Sequence, residues 1–362
     1  MEEKNSSSIS PFLVFFLIHS VQIGIGILGF QRQIVKSAGN DAWMVVIIAG
    51  IAFNILIWMM YSLLKNENKD LIGIHRNLFG KWFGGMLSII WILYWLLLGL
   101  TIIRTYIEVV ISWMFPHINV FVFSFILILL VYYGTSAGFR VVAGICFLGV
   151  VIPFYLVFTF IFPIEYIEFR NLLPIWNHSI KELAVATKDM ALSYLGISTL
   201  LMYYPYIKHP EKSQKWAHMG NILSMILYLS LIIITIGYFS EDQLSRHIWA
   251  TLSLWKIVEM PFVERFEYIG ITSWVLVILP NICLSLWSAT KGASGLFKFK
   301  ESKILIFMVL VMFIGCVLVE GTEYVENLNK WLSMTGIILV FGYIPLLLLF
   351  SKLMSKVRGK RQ

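Results

Sequence analysis

The chain has 362 residues, 59% of them hydrophobic and only 13% charged, with a mean hydropathy of +0.82. Soluble domains carry about 25% charged residues, and a single soluble core stops growing near roughly 250 to 300 residues. So much apolar side chain has to face lipid, which excludes a water-soluble globule and leaves a polytopic membrane protein. The formal charge of +8 comes from 28 Lys and Arg against 20 Asp and Glu, with the cations in short loops between apolar runs. Cys146, Cys283 and Cys316 stand inside apolar runs without metal-ligand spacing. They read as small core residues, not as a disulfide framework or a zinc site.

A bilayer core about 30 Å thick takes about 20 residues of helix. Ten apolar runs of that order are predicted as membrane helices: 11–31, 43–64, 82–114, 119–136, 140–162, 184–206, 217–239, 268–290, 303–319 and 331–351. They are numbered spans 1 to 10 in chain order. The runs are continuous, not alternating, and too long for barrel strands, which excludes a β-barrel. Span 1 is too long for a cleaved signal peptide, and Glu2, Glu3 and Lys4 before it do not make a basic leader. The expected organisation is one polytopic membrane domain over 1–362 with a basic tail at 352–362.

Cations distinguish the two faces. The N-terminal tail, every second loop and the C-terminal tail hold 18 Lys and Arg, among them Lys65, Lys69, Lys208, Lys291 and Lys356. The other face holds 8, including Arg32, Lys36, Arg246 and Lys330. The positive-inside bias therefore predicts both termini in the cytoplasm. The longest connections on the cation-poor face, 163–183 and 240–267, mix aromatic and aliphatic residues with charges and read as helices lying on the membrane surface.

Two spans carry glycine in mid-membrane. Span 1 contains Gly24-Ile25-Gly26-Ile27-Leu28-Gly29, and span 6 contains Ser193-Tyr194-Leu195-Gly196-Ile197-Ser198. Glycine weakens a helix and lets the backbone open. Two such segments five spans apart match a five-plus-five inverted repeat with a ligand site at the midplane, lined by unwound backbone. Close helix packing at small residues is the competing reading.

The segments Gly24-Ile25-Gly26 and Lys36-Ser37-Ala38-Gly39-Asn40-Asp41-Ala42-Trp43 resemble the spore germination permease family, the B subunits of nutrient germinant receptors. So do Tyr194-Leu195-Gly196, Tyr204-Pro205-Tyr206, Asn171-Leu172-Leu173-Pro174 and Phe262-Val263-Glu264-Arg265-Phe266-Glu267, the last being the most specific. Span 1 departs from the usual pattern, with Gly29-Phe30-Gln31 where a proline commonly follows the glycines. The family is similar to the amino acid, polyamine and organocation transporters. The resemblance thus implies an all-α, leucine-transporter-type fold with spans 1 and 6 broken. It also implies an A-type membrane subunit and a C-type lipoprotein as partners, in the inner membrane of the spore.

Ionisable residues inside a membrane are functional candidates because an unpaired charge there costs several kcal/mol. Arg104 and Glu108, four apart in span 3, share a face and can pair. They read either as an anchor at the rim or as an outer gate. Lys188 and Asp189 are adjacent and point to different faces, with snorkelling the simple reading for Lys188. His19 and Gln22 directly precede the glycines; a lone histidine there reads as a packing residue or, alternatively, a proton relay. Tyr94 falls near midplane depth, as do Asn281 and Ser285, whose spacing of four puts them on one face. These polar groups want either a polar ligand or partners on other helices.

Phosphate-cradling, zinc-protease and nucleophile-elbow motifs are absent, and the seven histidines are scattered. No enzymatic activity and no cofactor are expected. Composition and spacing give only a small-molecule site at the midplane; the resemblance implies a receptor subunit that senses a small nutrient there, expected to be an amino acid, and triggers germination. A proton- or sodium-coupled amino acid transporter and a nutrient-gated ion channel are the alternatives. The expected ligand contacts are Gln22, Gly24, Gly26, Tyr94, Leu195, Gly196, Asn281 and Ser285.

Overall fold

A computed structural model describes residues 8–259, 261 and 263–359. Glu2, Glu3, Lys4, Phe262, Lys360 and Arg361, all used in the sequence reading, lie outside the described residues. Among the described residues, seven helices are long and apolar enough to cross a membrane. They are Phe30–Glu67, Leu71–Trp113, Phe139–Tyr166, Pro210–Tyr238, Phe266–Phe297, Glu301–Leu318 and Thr322–Val357. Leu13–Gln22 and Val120–Ser136 are apolar but shorter. The sixth span has no single long helix: it runs as an α-helix Ile180–Ala191, a 3-10 stretch Leu192–Thr199 and a short α-turn Leu200–Tyr203.

Local chemistry sets the boundaries. Asp70 caps Leu71–Trp113 by accepting from the Gly73 N–H at 2.8 Å. Within that helix Gly80 has φ +78°, a left-handed value that only glycine adopts without strain, and it separates a lead-in at 71–79 from the long run containing Trp91, Tyr94 and Trp95. Asn119 caps Val120–Ser136 through the Val122 N–H at 3.1 Å. Ser179 with Glu182 and Ser240 with Gln243 form reciprocal capping boxes that start Ile180–Ala191 and Glu241–Arg246. Thr322–Ile337 passes into a π-helical turn, Ile338–Tyr343, before Ile344–Gly359.

Phe266–Phe297 and Leu71–Trp113 pack together along the middle of the bundle, and their inner faces bury Trp91, Tyr94, Trp95, Trp274 and Trp287. Peripheral helices show the opposite pattern. Phe121, Phe125 and Leu129 on one, and Phe307, Leu310 and Ile314 on another, are large, apolar and exposed. In a water-soluble protein such a surface would aggregate; against lipid it is solvated.

Several boundaries differ from the sequence reading. The first span does not end at Gln31 but continues as a helix Phe30–Ala38, because Arg32, Gln33 and Lys36 line a polar recess where charge is tolerated. Phe139–Tyr166 ends in a 3-10 stretch, Thr159–Tyr166, and the surface connections hold a 3-10 turn, Phe169–Leu172, and the short helices Glu241–Arg246 and Ala250–Trp255.

Candidate ligand-binding site

The helix that starts at Leu13 ends at Gln22. Ile23 is extended, Gly24 has φ −131° and ψ −142°, and Ile25–Leu28 forms one 3-10 turn before the second helix begins at Phe30. An interruption inside apolar packing leaves carbonyls without ladder partners, and each such group has to find a donor. Here side chains from Gln214–Tyr238 and Phe266–Phe297 provide them. The Tyr228 hydroxyl donates to Gln22 O at 2.8 Å, and Trp274 Nε1 donates to Gly24 O at 3.3 Å. Asn281 Nδ2 donates to Ser20 O at 2.8 Å. A polar chain adds to these: Gln22 Nε2 donates to Asn221 Oδ1 at 2.6 Å, and Asn221 Nδ2 donates to Gly50 O at 2.9 Å. His19 Nδ1 and Ser224 Oγ pair at 2.9 Å, the packing role expected of a lone histidine.

The 3-10 stretch of span 6 lies directly against this interruption. A Cβ on Gly196 would stand 2.6 Å from Val21 O, so only glycine permits the approach. A Cβ on Gly26 would stand 3.0 Å from Ser193 Oγ. Trp95 Nε1 donates to Ser198 Oγ at 3.2 Å, tying the stretch to the central helix.

A recess of about 790 Å³ is lined by the non-α backbone at Ile25, Gly26 and Gly29 and by Ser193. Arg32 and Lys36, Glu108, Asp189, and Glu326 with Lys330 supply its charged walls, and Arg246 to Trp249 also line it. Arg32 meets Glu326 at 3.8 Å and also donates to Ser245 O at 3.2 Å. Arg104 and Glu108 pair at 3.3 Å, both buried, as the i,i+4 spacing predicts. Arg104 donates to Val319 O, and Glu108 accepts from Thr322 Oγ1 at 2.6 Å. The pair therefore clasps the turn that begins Thr322–Ile337, with Glu108 also facing the recess.

Of the expected contacts, Gly26 lines the recess. The others form a packed layer around and below it. Gly24 abuts Asn281, whose Oδ1 lies 3.2 Å from where a Cβ would be, and Leu195 and Tyr94 both press on Gly336. Gln22 Oε1 and Ser285 Oγ are buried without a hydrogen-bond partner among the described residues. The Tyr94 hydroxyl comes near Ser198 without a bond of normal geometry. Asn281 spends its amide on backbone.

The sequence reading missed Ser193, Arg32, Lys36 and Glu326 as recess residues; only the depth of the glycines pointed there. It also missed a junction between two of the segments that carry the family resemblance. Asn40 Nδ2 donates to Leu173 O at 2.9 Å. Asp41, fully buried, accepts backbone N–H groups from Trp176, Asn177 and His178 at 2.7, 2.7 and 3.0 Å, and the His178 ring at 3.1 Å. Burial works against the Asp41 charge, but these donors outweigh it and hold the carboxyl below the ordinary carboxylate range.

A helical bundle with a recess lined by the non-α backbone at Ile25 and Gly26 fits the transporter architectures built on discontinuous helices. Solved structures bear this out at the level of fold. A substrate-bound, outward-open Na+-coupled sialic acid symporter aligns with TM-score 0.69 at 10% identity, covering 93% of this chain and 78% of its own. MhsT in complex with L-phenylalanine aligns with TM-score 0.67 at 12% identity, covering 95% and 88%. In sequence, the family described as spore germination protein matches residues 8–325. Spore germination protein GerQB of Bacillus cereus is 43% identical over 97% of both chains. Spore germination protein A2 of Bacillus subtilis (strain 168) is 22% identical over 86% of this chain and 87% of its own. The chain belongs to the spore germination protein family and is a multi-pass membrane protein.

Proposed function

We propose that this chain is the nutrient-sensing B subunit of a germinant receptor, in which a small nutrient enters the recess from outside and is held at its inner end. The observation that carries the reading is the recess itself, lined by Gly26 and Ser193, in a chain 43% identical to GerQB. The ten-span topology has both termini cytoplasmic, spans 1 and 6 broken, and spans 1–5 repeated inverted in 6–10. It is supported by the 18 to 8 cation split and by the non-α segments at 23–29 and 192–199. The whole chain is one membrane domain with a basic tail at 352–362, and an A-type membrane subunit and a C-type lipoprotein complete the receptor.

The nutrient touches Gly26 first. Gly24, Gln22, Tyr94, Leu195, Gly196 and Ser285 close around it when the layer below loosens, and Asn281 holds the interrupted backbone in place. Binding shifts the protein between two states because affinity differs between them, and no net transport is required. The Arg104–Glu108 clasp sets how far the recess wall can move.

One experiment tests this against transport and channel readings. The subunit is deleted in a spore former and restored, and germination is scored nutrient by nutrient. Uptake of the effective nutrient, and ion efflux, are then measured in proteoliposomes. Loss of one nutrient response without uptake or efflux by the purified subunit supports the sensor. Concentrative uptake makes it a transporter, as the sialic acid symporter of like fold is. Nutrient-dependent ion efflux makes it a channel.

A further inference from the structure

We infer that the Asn281 carboxamide occupies, at the junction of the interrupted first span with Phe266–Phe297, the position that a monovalent cation would otherwise take. Three backbone carbonyls converge on one nitrogen. Ser20 O lies 2.8 Å from Asn281 Nδ2, Val277 O 3.0 Å and Ile23 O 3.5 Å. Two of these oxygens come from the edge of the interruption. In a continuous helix Ser20 O would pair with the Gly24 N–H and Ile23 O with the Ile27 N–H, but the α-helix stops at Gln22.

Such freed carbonyls in a discontinuous membrane helix are the groups that coordinate Na+. The amide has only two N–H bonds for three acceptors, so the oxygens share a compact positive end much as they would share an ion. The opposite orientation would set Oδ1 against three carbonyl oxygens, so the chemistry fixes which end faces them. Asn281 is buried, and its carboxamide packs against Gly24, where a built Cβ would stand 3.2 Å from Oδ1 and 3.4 Å from Nδ2. Asn281 is thus a positioning residue that lets the interruption persist with no ion loaded at this junction. The inference does not depend on which nutrient, if any, fills the recess.

The test replaces the donors by oxygen. Asn281→Asp keeps the size and offers only acceptors when ionised; Asn281→Ser removes the amide and leaves room and a hydroxyl. Wild type and both variants are purified in NaCl, where a filled junction keeps them folded. Their melting temperatures are then followed as Na+ or K+ replaces N-methyl-D-glucamine at fixed ionic strength. The expected result is a saturable, cation-dependent rise for at least one variant that exceeds any rise in the wild type. If both variants respond to the cations just as the wild type does, the amide does not stand in a cation's place. Failure of both to accumulate even in NaCl also contradicts the proposal, because a cation then cannot substitute for the amide.

Discussion

Replacing Asp41 by alanine removes the acceptor that joins the end of Phe30–Ala38 to the connection before Ile180–Ala191. The carboxylate takes three backbone N–H groups and one histidine ring, all within 3.1 Å. A hydrogen bond to a charged group contributes about 1.5 to 3 kcal/mol, but water can reach the donors once the carboxylate is gone, so the sum is not additive. A loss of about 3 kcal/mol is the reasonable scale, or roughly 4 °C in melting temperature for a chain of this size. Asp41→Asn keeps one acceptor and turns an NH2 towards donors, so it falls between.

The pH dependence has a definite sign. The folded carboxyl is held below its ordinary value of 3.8. Its contribution is therefore complete above about pH 4 and lost as the pH falls through the lower folded value. Thermal unfolding of purified protein in nanodiscs, from pH 7 down to pH 3, should show wild type and Asp41→Ala well separated at neutral pH, with the gap narrowing at the acid end. Equal melting temperatures at pH 7, or a gap that does not narrow in acid, would refute the argument that an ionised Asp41 fastens these two segments.

Gly196→Ala places a methyl 2.6 Å from Val21 O and should destabilise by about 1 to 3 kcal/mol, read as reduced abundance on immunoblots of spore membranes. Gly24→Ala meets only the Asn281 side chain, at 3.2 Å, and should shift the nutrient concentration needed; Gly24→Leu should abolish the response. A Leu variant present at normal levels with an unchanged dose-response would remove Gly24 from the site. Glu108→Ala strands the buried Arg104 charge and should cost about 3 to 5 kcal/mol, whereas the double change to Met and Ala should recover part of it in a double-mutant cycle. A single cysteine at Lys356, in a cysteine-free background, should react with an impermeant maleimide only from the cytoplasmic side.

What could be read from sequence followed from local rules. The Arg104–Glu108 pair was legible because both partners lie on one helix face, four residues apart. The glycines at 24, 26 and 196 were legible because a residue without a side chain in an apolar span has few explanations. The polar second helix Phe30–Ala38 was not, because counting charge-free runs stops at Arg32 even where charge faces water inside the bundle. The Asp41 junction was invisible for another reason: three of its four donors are backbone N–H groups at 176 to 178, which carry no sequence signature. Asn281 and Ser285 were correctly placed on one helix, but spacing alone cannot tell an amide that faces a ligand from one spent on a neighbouring backbone.

The central claim, that nutrient is sensed at the inner end of the recess, is tested most directly at Ser193. Its hydroxyl lies against Gly26 in the recess wall, so Ser193→Trp fills that part of the recess while leaving the Asp41 junction and the Arg104–Glu108 clasp in place. Germination dose-response curves of spores carrying Ser193→Trp, with receptor abundance measured in the same membranes, should show the response to the cognate nutrient lost at normal abundance. A normal response at normal abundance would contradict the account and move the sensing site elsewhere.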